Sequence, residues 1–420
     1  MSAGTTTAQD VRAARVASRG AGDLTPRDKQ RVLRRIAELT EARLDDILAR
    51  NKAEADALAS RSDSGRPAGR ALLRPARLER IVRGIRDLAD ADDPAGAVRD
   101  LSRQANGLLV GRMRVPLGVL AVIYESRPEV TLESAALAIK SGNAVLLRGS
   151  GDCPDTNGVL ADVARDALRA EGLDPDIVRQ LESPDRSAIW DLVTGDEPVD
   201  LVVARGGEGF LAELRERSRY PVLSSGGGNC HVYVDEEADL DAASRIVANA
   251  KLSDPSMCNA VETLLVHASH ADDYLPRLLG ELSDAGVELR GCEASVRAHP
   301  LVKPATEEDW ATEYLAPVLA VRVVPGVEQA IAHIAAYGTG HSEAILTTRY
   351  EHARRFQYAV DAAAVYVNAS TRFTYGYEFG TGPMLGISTQ KLHARGPLGV
   401  RDLMAEKYVI SGDGQIRETP

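Results

Sequence analysis

The sequence predicts an α/β fold made of two successive three-layer α/β/α domains. Three observations predict it. Short apolar runs alternate with helical patterns from about residue 117 onward, as expected of buried parallel strands joined by helices. The alternation restarts after Pro255, which makes two series rather than one. The 420 residues, 44% hydrophobic and 26% charged, can fill two large cores without disulfide or metal support.

The first hundred residues read as helices. Thr25 and Pro26 form a start signal, an N-cap followed by proline at the first helical position. Val32, Ile36 and Leu39 follow at helical spacing, then Leu44, Ile47 and Leu48, and Leu78, Ile81 and Ile85 mark a further amphipathic helix. Residues 60–69, rich in Ser, Gly and Arg, read as a loop. Residues 107–114 alternate loosely, as an exposed strand does. The first series then runs strand 119–124, helix 130–140, strand 144–147, helix 155–171, strand 177–181, helix 185–193, strand 201–204 and helix 209–218. Strands 221–223 and 231–234 and helix 240–250 complete it. The second series has strands at 263–267, 287–289, 318–324, 344–347 and 364–367, with helices at 271–283 and 327–336. Residues 369–399 are dense in Gly, Ser, Thr and Pro without a period, and so long an irregular stretch is expected to line a site. Residues 407–410 read as a last strand.

Composition narrows the function. Fifty basic against 61 acidic residues give a net charge of −11, which argues against a nucleic-acid partner. An aromatic fraction of 4% leaves little for base stacking. No apolar run approaches the length of a membrane span, and the first residues carry no signal peptide. The four cysteines, Cys153, Cys230, Cys258 and Cys292, have no paired spacing, which fits a reduced, cytoplasmic compartment. No metal is expected, because His267 and His270 lack a third ligand. No G-x-S-x-G elbow suggests a hydrolase.

The candidate chemistry lies at strand ends and at the seam between the series. Gly149-Ser150-Gly151 and Gly206-Gly207 each follow a strand and precede a helix. Such loops are either ordinary turns or phosphate cradles. Arg148 and Arg205 stand beside them, and an arginine near a dinucleotide ribose is how NADP is accommodated. Cys258, in Asp254-Pro255-Ser256-Met257-Cys258-Asn259-Ala260, sits where an interdomain cleft would open. It is either a small core residue or a nucleophile, and only a thiolate reacts. Arg372, after the strand at 364–367, either caps a loop or clamps an anion.

Eight stretches go further. They are RVPLGVLAVIYESRP (114–128), LAIKSGNAVLLRG (137–149), ARGGEG (204–209), GNCHVYVD (228–235), PSMCNAVETLLVH (255–267), TEEDWATEYLAPVLAV (306–321), VYVNASTRF (365–373) and ISTQKLHARGP (387–397). Together they resemble the γ-glutamyl phosphate reductase family of the aldehyde dehydrogenase superfamily, in family order. The resemblance implies an aldehyde-dehydrogenase-like fold. An NADP-binding domain would span 1–105 and 117–254, and a catalytic domain 255–370. Oligomerisation strands and a tail would span 106–116 and 385–417. It implies NADPH-dependent reduction of L-glutamyl 5-phosphate to the semialdehyde, with release of phosphate, in proline biosynthesis. By the same resemblance Cys258 is the nucleophile and the Asn259 N–H an oxyanion donor. Ser126, Arg127 and Arg372 are substrate contacts. Arg148, Gly149, Ser150, Gly206, Gly207 and Glu313 are cofactor contacts, with Arg148 on the NADP 2′-phosphate and Glu313 on the nicotinamide ribose. The implied partners are further copies of the chain, as a homodimer or homotetramer, and the glutamate 5-kinase that makes the acyl phosphate.

Some positions depart from the family. Ser224-Ser225-Gly226-Gly227-Gly228-Asn229 stands where hydrolytic relatives carry the E-L-G-G-K glutamate that activates water. Tyr375, Tyr377, Pro383 and Met384 replace Asp, Gly, Ala and Glu, and Glu129 stands where Asn is usual. Two alternatives therefore stay open at this point. One is a paralogue that reduces a related acyl phosphate in a specialised pathway. The other is a catalytically weak partner of the kinase.

Overall fold

The computed structural model describes residues 3–60, 71–181 and 185–417. The loop expected at 60–69 lies, after Ser60, outside the described residues. Helices Ala3–Gly22, Pro26–Ala42, Leu44–Ala59 and Pro75–Asp90 form the N-terminal part. The second begins where the Thr25-Pro26 signal predicts: the Asp28 N–H donates to the Thr25 hydroxyl at 3.2 Å and the Asp28 carboxylate accepts the Thr25 N–H at 3.0 Å. This reciprocal cap satisfies two otherwise orphaned donors.

Five parallel strands make the first sheet, in the order Val178–Gln180, Ala144–Gly149, Val119–Tyr124, Leu201–Arg205, Val222–Ser225. Strands Val119–Tyr124 and Ala144–Gly149 are buried at every residue, because helices cover both faces of a parallel sheet. From Val119–Tyr124 the chain moves to one side of the sheet and later returns to the other at Leu201–Arg205. That reversal leaves a crevice at the carboxyl ends of these two strands.

Seven parallel strands make the second sheet, in the order Lys303–Pro304, Glu288–Gly291, Val318–Val324, Val261–His267, Cys230–Val234, Ser342–Leu346, Ala364–Val367. The placement of Cys230–Val234 corrects the boundary expected at residue 254. This strand pairs with Val261–His267 and Ser342–Leu346, so it and the following helix Leu240–Leu252 belong with the second series. A strand buried on both faces reads alike in either sheet, and only pairing distinguishes them. Val98–Arg103, expected within the helical N-terminus, is instead an exposed edge strand. It pairs antiparallel with Leu109–Pro116, which pairs with Met404–Ser411 in a small separate sheet. No helix among the described residues is long and apolar enough to cross a membrane.

Candidate active site

A cavity of about 270 Å³ opens at the crevice of the first sheet, where it meets the second. Three strand ends of the first sheet build one wall. Val119–Tyr124 delivers Glu125, Ser126 and Arg127, Leu201–Arg205 delivers Arg205, Gly206 and Gly207, and Val222–Ser225 delivers Ser225, Gly226 and Gly227. The opposite wall comes from the second unit, as Ser256, Cys258, Glu313 and Leu315.

The nucleophile candidate sits in a tight turn between helix Leu240–Leu252 and strand Val261–His267. Asp254 Oδ1 accepts from the Ser256 N–H at 3.1 Å and its hydroxyl at 2.7 Å, and the Ala260 N–H donates to the Met257 carbonyl at 2.9 Å. Cys258 is partly exposed at the cavity floor. Its carbonyl oxygen accepts from Cys230 Sγ at 3.2 Å. Burial pushes the Cys258 thiol above the usual cysteine range and the Glu313 carboxylate adds to this, while Arg127, Arg205 and Arg372 pull it down.

The neighbouring residues are fixed. Asn259 Nδ2 donates to the carbonyls of Arg372 at 3.2 Å and Thr374 at 3.0 Å, and its Oδ1 accepts from Arg372 Nη1. The Asn259 side chain is thereby committed to the segment 372–374. Arg372 also donates through Nε to the Ser253 hydroxyl at 2.9 Å, so much of its guanidinium braces the turn that carries Cys258. Glu313 Oε1 accepts the Gly228 N–H at 2.7 Å.

Of the sequence candidates, the fold brings Ser126, Arg127, Gly206, Gly207, Cys258 and Glu313 to one cavity. Asn259 and Arg372 lie behind it. Arg148, Gly149 and Ser150 lie at the adjoining strand end and do not line the cavity. Arg148 donates to the Gly149 carbonyl and, at 3.2 Å, to that of Asp185. A side chain at Gly149 would come within 2.2 Å of Asn157 Nδ2, whereas Gly207 has nothing within 4 Å. Gly149 is therefore spent on packing, and Gly207 offers an open backbone approach. Ser126 and Ser150 are linked through Asp152, whose Oδ2 accepts from both hydroxyls, from Ser150 at 2.9 Å.

Sequence reasoning missed Glu125 and Glu208, whose carboxylates flank the Gly206 and Gly226 backbones. It weighed Arg205 as charge beside a glycine loop and an NADP ribose, not as a neighbour of the Cys258 thiol. Adjacency to a strand end was the one available signal for all three. The E-L-G-G-K position carries no carboxylate here, yet Glu125, Glu208 and Glu313 line the same cavity. Tyr375 and Tyr377, the departures that stand out in the tail, have ring centroids 5.6 Å apart. The Tyr377 hydroxyl lies over Gly84 of helix Pro75–Asp90, with Pro383 beside it.

Comparison with known proteins adds a family. The model of the "Aldehyde dehydrogenase family" matches residues 2–310 and 290–382. The γ-glutamyl phosphate reductase of Carboxydothermus hydrogenoformans is 48% identical over 407 residues, 96% of this chain and 97% of that protein. That of Dictyoglomus thermophilum is 46% identical over 395 residues, 94% and 95% of the two chains. The crystal structure of γ-glutamyl phosphate reductase from Thermotoga maritima superposes with a TM-score of 0.93 at 42% identity, covering 98% of this chain and 100% of that one.

Proposed function

Since the chain belongs to the aldehyde dehydrogenase family, among its γ-glutamyl phosphate reductases, we propose that it reduces L-glutamyl 5-phosphate to L-glutamate 5-semialdehyde with release of phosphate, in proline biosynthesis. The observation that carries this reading is Cys258 at the floor of a cavity between two sheets, in a chain matched to such reductases along nearly all its length. The same match favours this activity over a paralogue or a catalytically weak partner of the kinase.

In this reading the Cys258 thiolate attacks the acyl carbon, the bond from that carbon to the phosphate oxygen breaks, and phosphate leaves. A thioester on Cys258 remains. Arg127 and Arg205 face the cavity and would hold the phosphate while lowering the thiol pKa. The Asn259 N–H would donate to the oxyanion as the carbonyl carbon becomes tetrahedral. The cavity's own residues suit a nicotinamide dinucleotide: Gly207 leaves the backbone open at the start of helix Glu208–Arg217, and the Glu313 carboxylate stands opposite. When bound, NADPH supplies hydride as the two-electron reductant. Cys258 sulfur then leaves as the aldehyde carbonyl re-forms. Arg148, Gly149 and Ser150 would flank the cofactor's far end, Ser126 would contact substrate through the Asp152-linked loop, and Arg372 would act through Asn259. Assembly through the small sheet, whose outer strand exposes Val98 and Leu101, and a cytoplasmic location belong to the same proposal.

The test runs the reaction in reverse. Pyrroline-5-carboxylate, which equilibrates with the semialdehyde, is mixed with NADP and phosphate, and NADPH absorbance is followed. Phosphate-dependent NADPH formation that disappears in Cys258→Ala, while that variant still binds NADPH, is the expected result. Turnover retained by Cys258→Ala would overturn the nucleophile assignment, and the absence of phosphate-dependent turnover in a folded, NADPH-binding enzyme would overturn the substrate.

A further inference from the structure

Two ionic residues flank the nucleophile turn. Lys251 is the penultimate residue of helix Leu240–Leu252 and Glu262 the second of strand Val261–His267, so they bracket residues 252–261. Their side chains are fully buried and meet at 2.5 Å, Nζ to Oε2. The other oxygen, Glu262 Oε1, accepts the N–H of Leu315 at 3.1 Å. Leu315 has a left-handed backbone, φ +51°, a conformation that a branched residue holds only when its surroundings insist. Two residues earlier, Glu313 reaches the Gly228 N–H across the cavity. Between them, Tyr314 donates to Asp309 Oδ1 at 2.9 Å and its ring lies 6.0 Å from Lys251 Nζ.

We propose that the buried Lys251–Glu262 ion pair is a positioning device that ties both ends of the Cys258 turn to the Glu313–Leu315 turn and so fixes the Glu313 carboxylate relative to the thiol. The proposal rests on the reading of Cys258 and Glu313 given above. An apolar pair would pack here at less desolvation cost. It would give the strained Leu315 N–H no acceptor and would not join the three segments. Burial raises Glu262 to about 7 and lowers Lys251, and the charge of each partner opposes the shift of the other.

The test reads the thiol rather than turnover. The pH midpoint of iodoacetamide alkylation at Cys258, followed by mass spectrometry, is compared in the wild type, Lys251→Met/Glu262→Met, Glu313→Gln and the triple variant. Glu313 raises the Cys258 thiol, opposed by Arg127, Arg205 and Arg372, so Glu313→Gln moves the midpoint down. The pair variant is expected to move it down as well, by freeing the Glu313 carboxylate from its place. In the Glu313→Gln background the pair substitution then has no further effect. Glu262→Asp, which keeps the charge but falls a methylene short of joining Lys251 to Leu315, shifts the midpoint in the same direction and guards against a pair variant that does not fold. Wild-type midpoints in the folded pair variant or in Glu262→Asp would overturn the proposal. So would a triple variant that shifts from Glu313→Gln as far as the pair variant shifts from wild type. If the wild type forms no NADPH from pyrroline-5-carboxylate, the proposed activity fails while the alkylation comparison still decides the positioning role.

Discussion

Alanine at Gly228 tests the site at its tightest point. A methyl group there would lie 1.8 Å from the Cys258 carbonyl oxygen and 2.8 Å from its carbon, where ordinary contact starts near 3.4 Å. One backbone must therefore retreat by about 1.6 Å. Gly228 is held by its N–H to Glu313 at 2.7 Å. The Cys258 carbonyl accepts from Cys230, and the next residue is clamped by Arg372 and Thr374. Whichever side yields, the thiol and the Glu313 carboxylate change their separation. Misplacing a reacting group by about 1 Å costs on the order of 10²-fold in rate, or about 2.7 kcal/mol of barrier. Overpacking of this kind costs about 1–3 kcal/mol of stability, so the variant is expected to fold. Gly228→Ala should thus lose about 100-fold in kcat for phosphate-dependent NADPH formation, with a changed alkylation rate at Cys258. A folded variant within threefold of wild type in both measurements would refute the close-approach argument.

Removing Arg205 takes away a positive charge that pulls the Cys258 thiol down. Arg205→Met should therefore alkylate more slowly at pH 8, by about threefold or more, since the thiolate fraction falls tenfold per pKa unit; an unchanged or faster rate would contradict the electrostatic reading. Burial holds His333 down to about 3 and His341 down to about 4. In the unfolded chain a histidine titrates near 6.5, so the unfolded state binds more protons and stability falls as pH drops below that value. Urea midpoints measured from pH 7 to 5 should show this, and His341→Gln should remove about one proton from the slope; an unaltered slope would count against it. Gly84→Ala places a methyl 1.8 Å from the Tyr377 hydroxyl and should cost about 1–3 kcal/mol. Adding Tyr377→Phe leaves the ring carbon at 3.1 Å as the nearest atom, so more than half the loss should return in chemical denaturation; no recovery would mean that the contact is not what limits alanine there.

What the sequence made legible follows from where single segments decide. Thr25 and Pro26 fix a helix start through contacts within four residues. The runs 119–124 and 144–147 identify themselves because helices cover both of their faces. Cys258 and Glu313 are legible through motifs, since the resemblance singles out a thiol and a carboxylate in those segments, and the fold brings both to one cavity. Strand order is a different matter, because it depends on pairings between distant segments. Cys230–Val234 has the same apolar run whichever sheet receives it, and only its register with Val261–His267 and Ser342–Leu346 decides. Val98–Arg103 is exposed at every residue, and its two apolar residues, Val98 and Leu101, are three apart rather than alternating, so it left no period to read. Strand order also separates the two glycine loops. Both follow parallel strands with an arginine at or beside the end, and as sequences they are equivalent. The crevice forms where the chain reverses, beside Val119–Tyr124 and Leu201–Arg205. Gly207 therefore opens onto the cavity, while Gly149 is packed against Asn157 and Arg148 turns to the Gly149 and Asp185 carbonyls. A site residue is thus legible when its own chemistry marks it, and ambiguous when its role depends on which neighbour the sheet has given it.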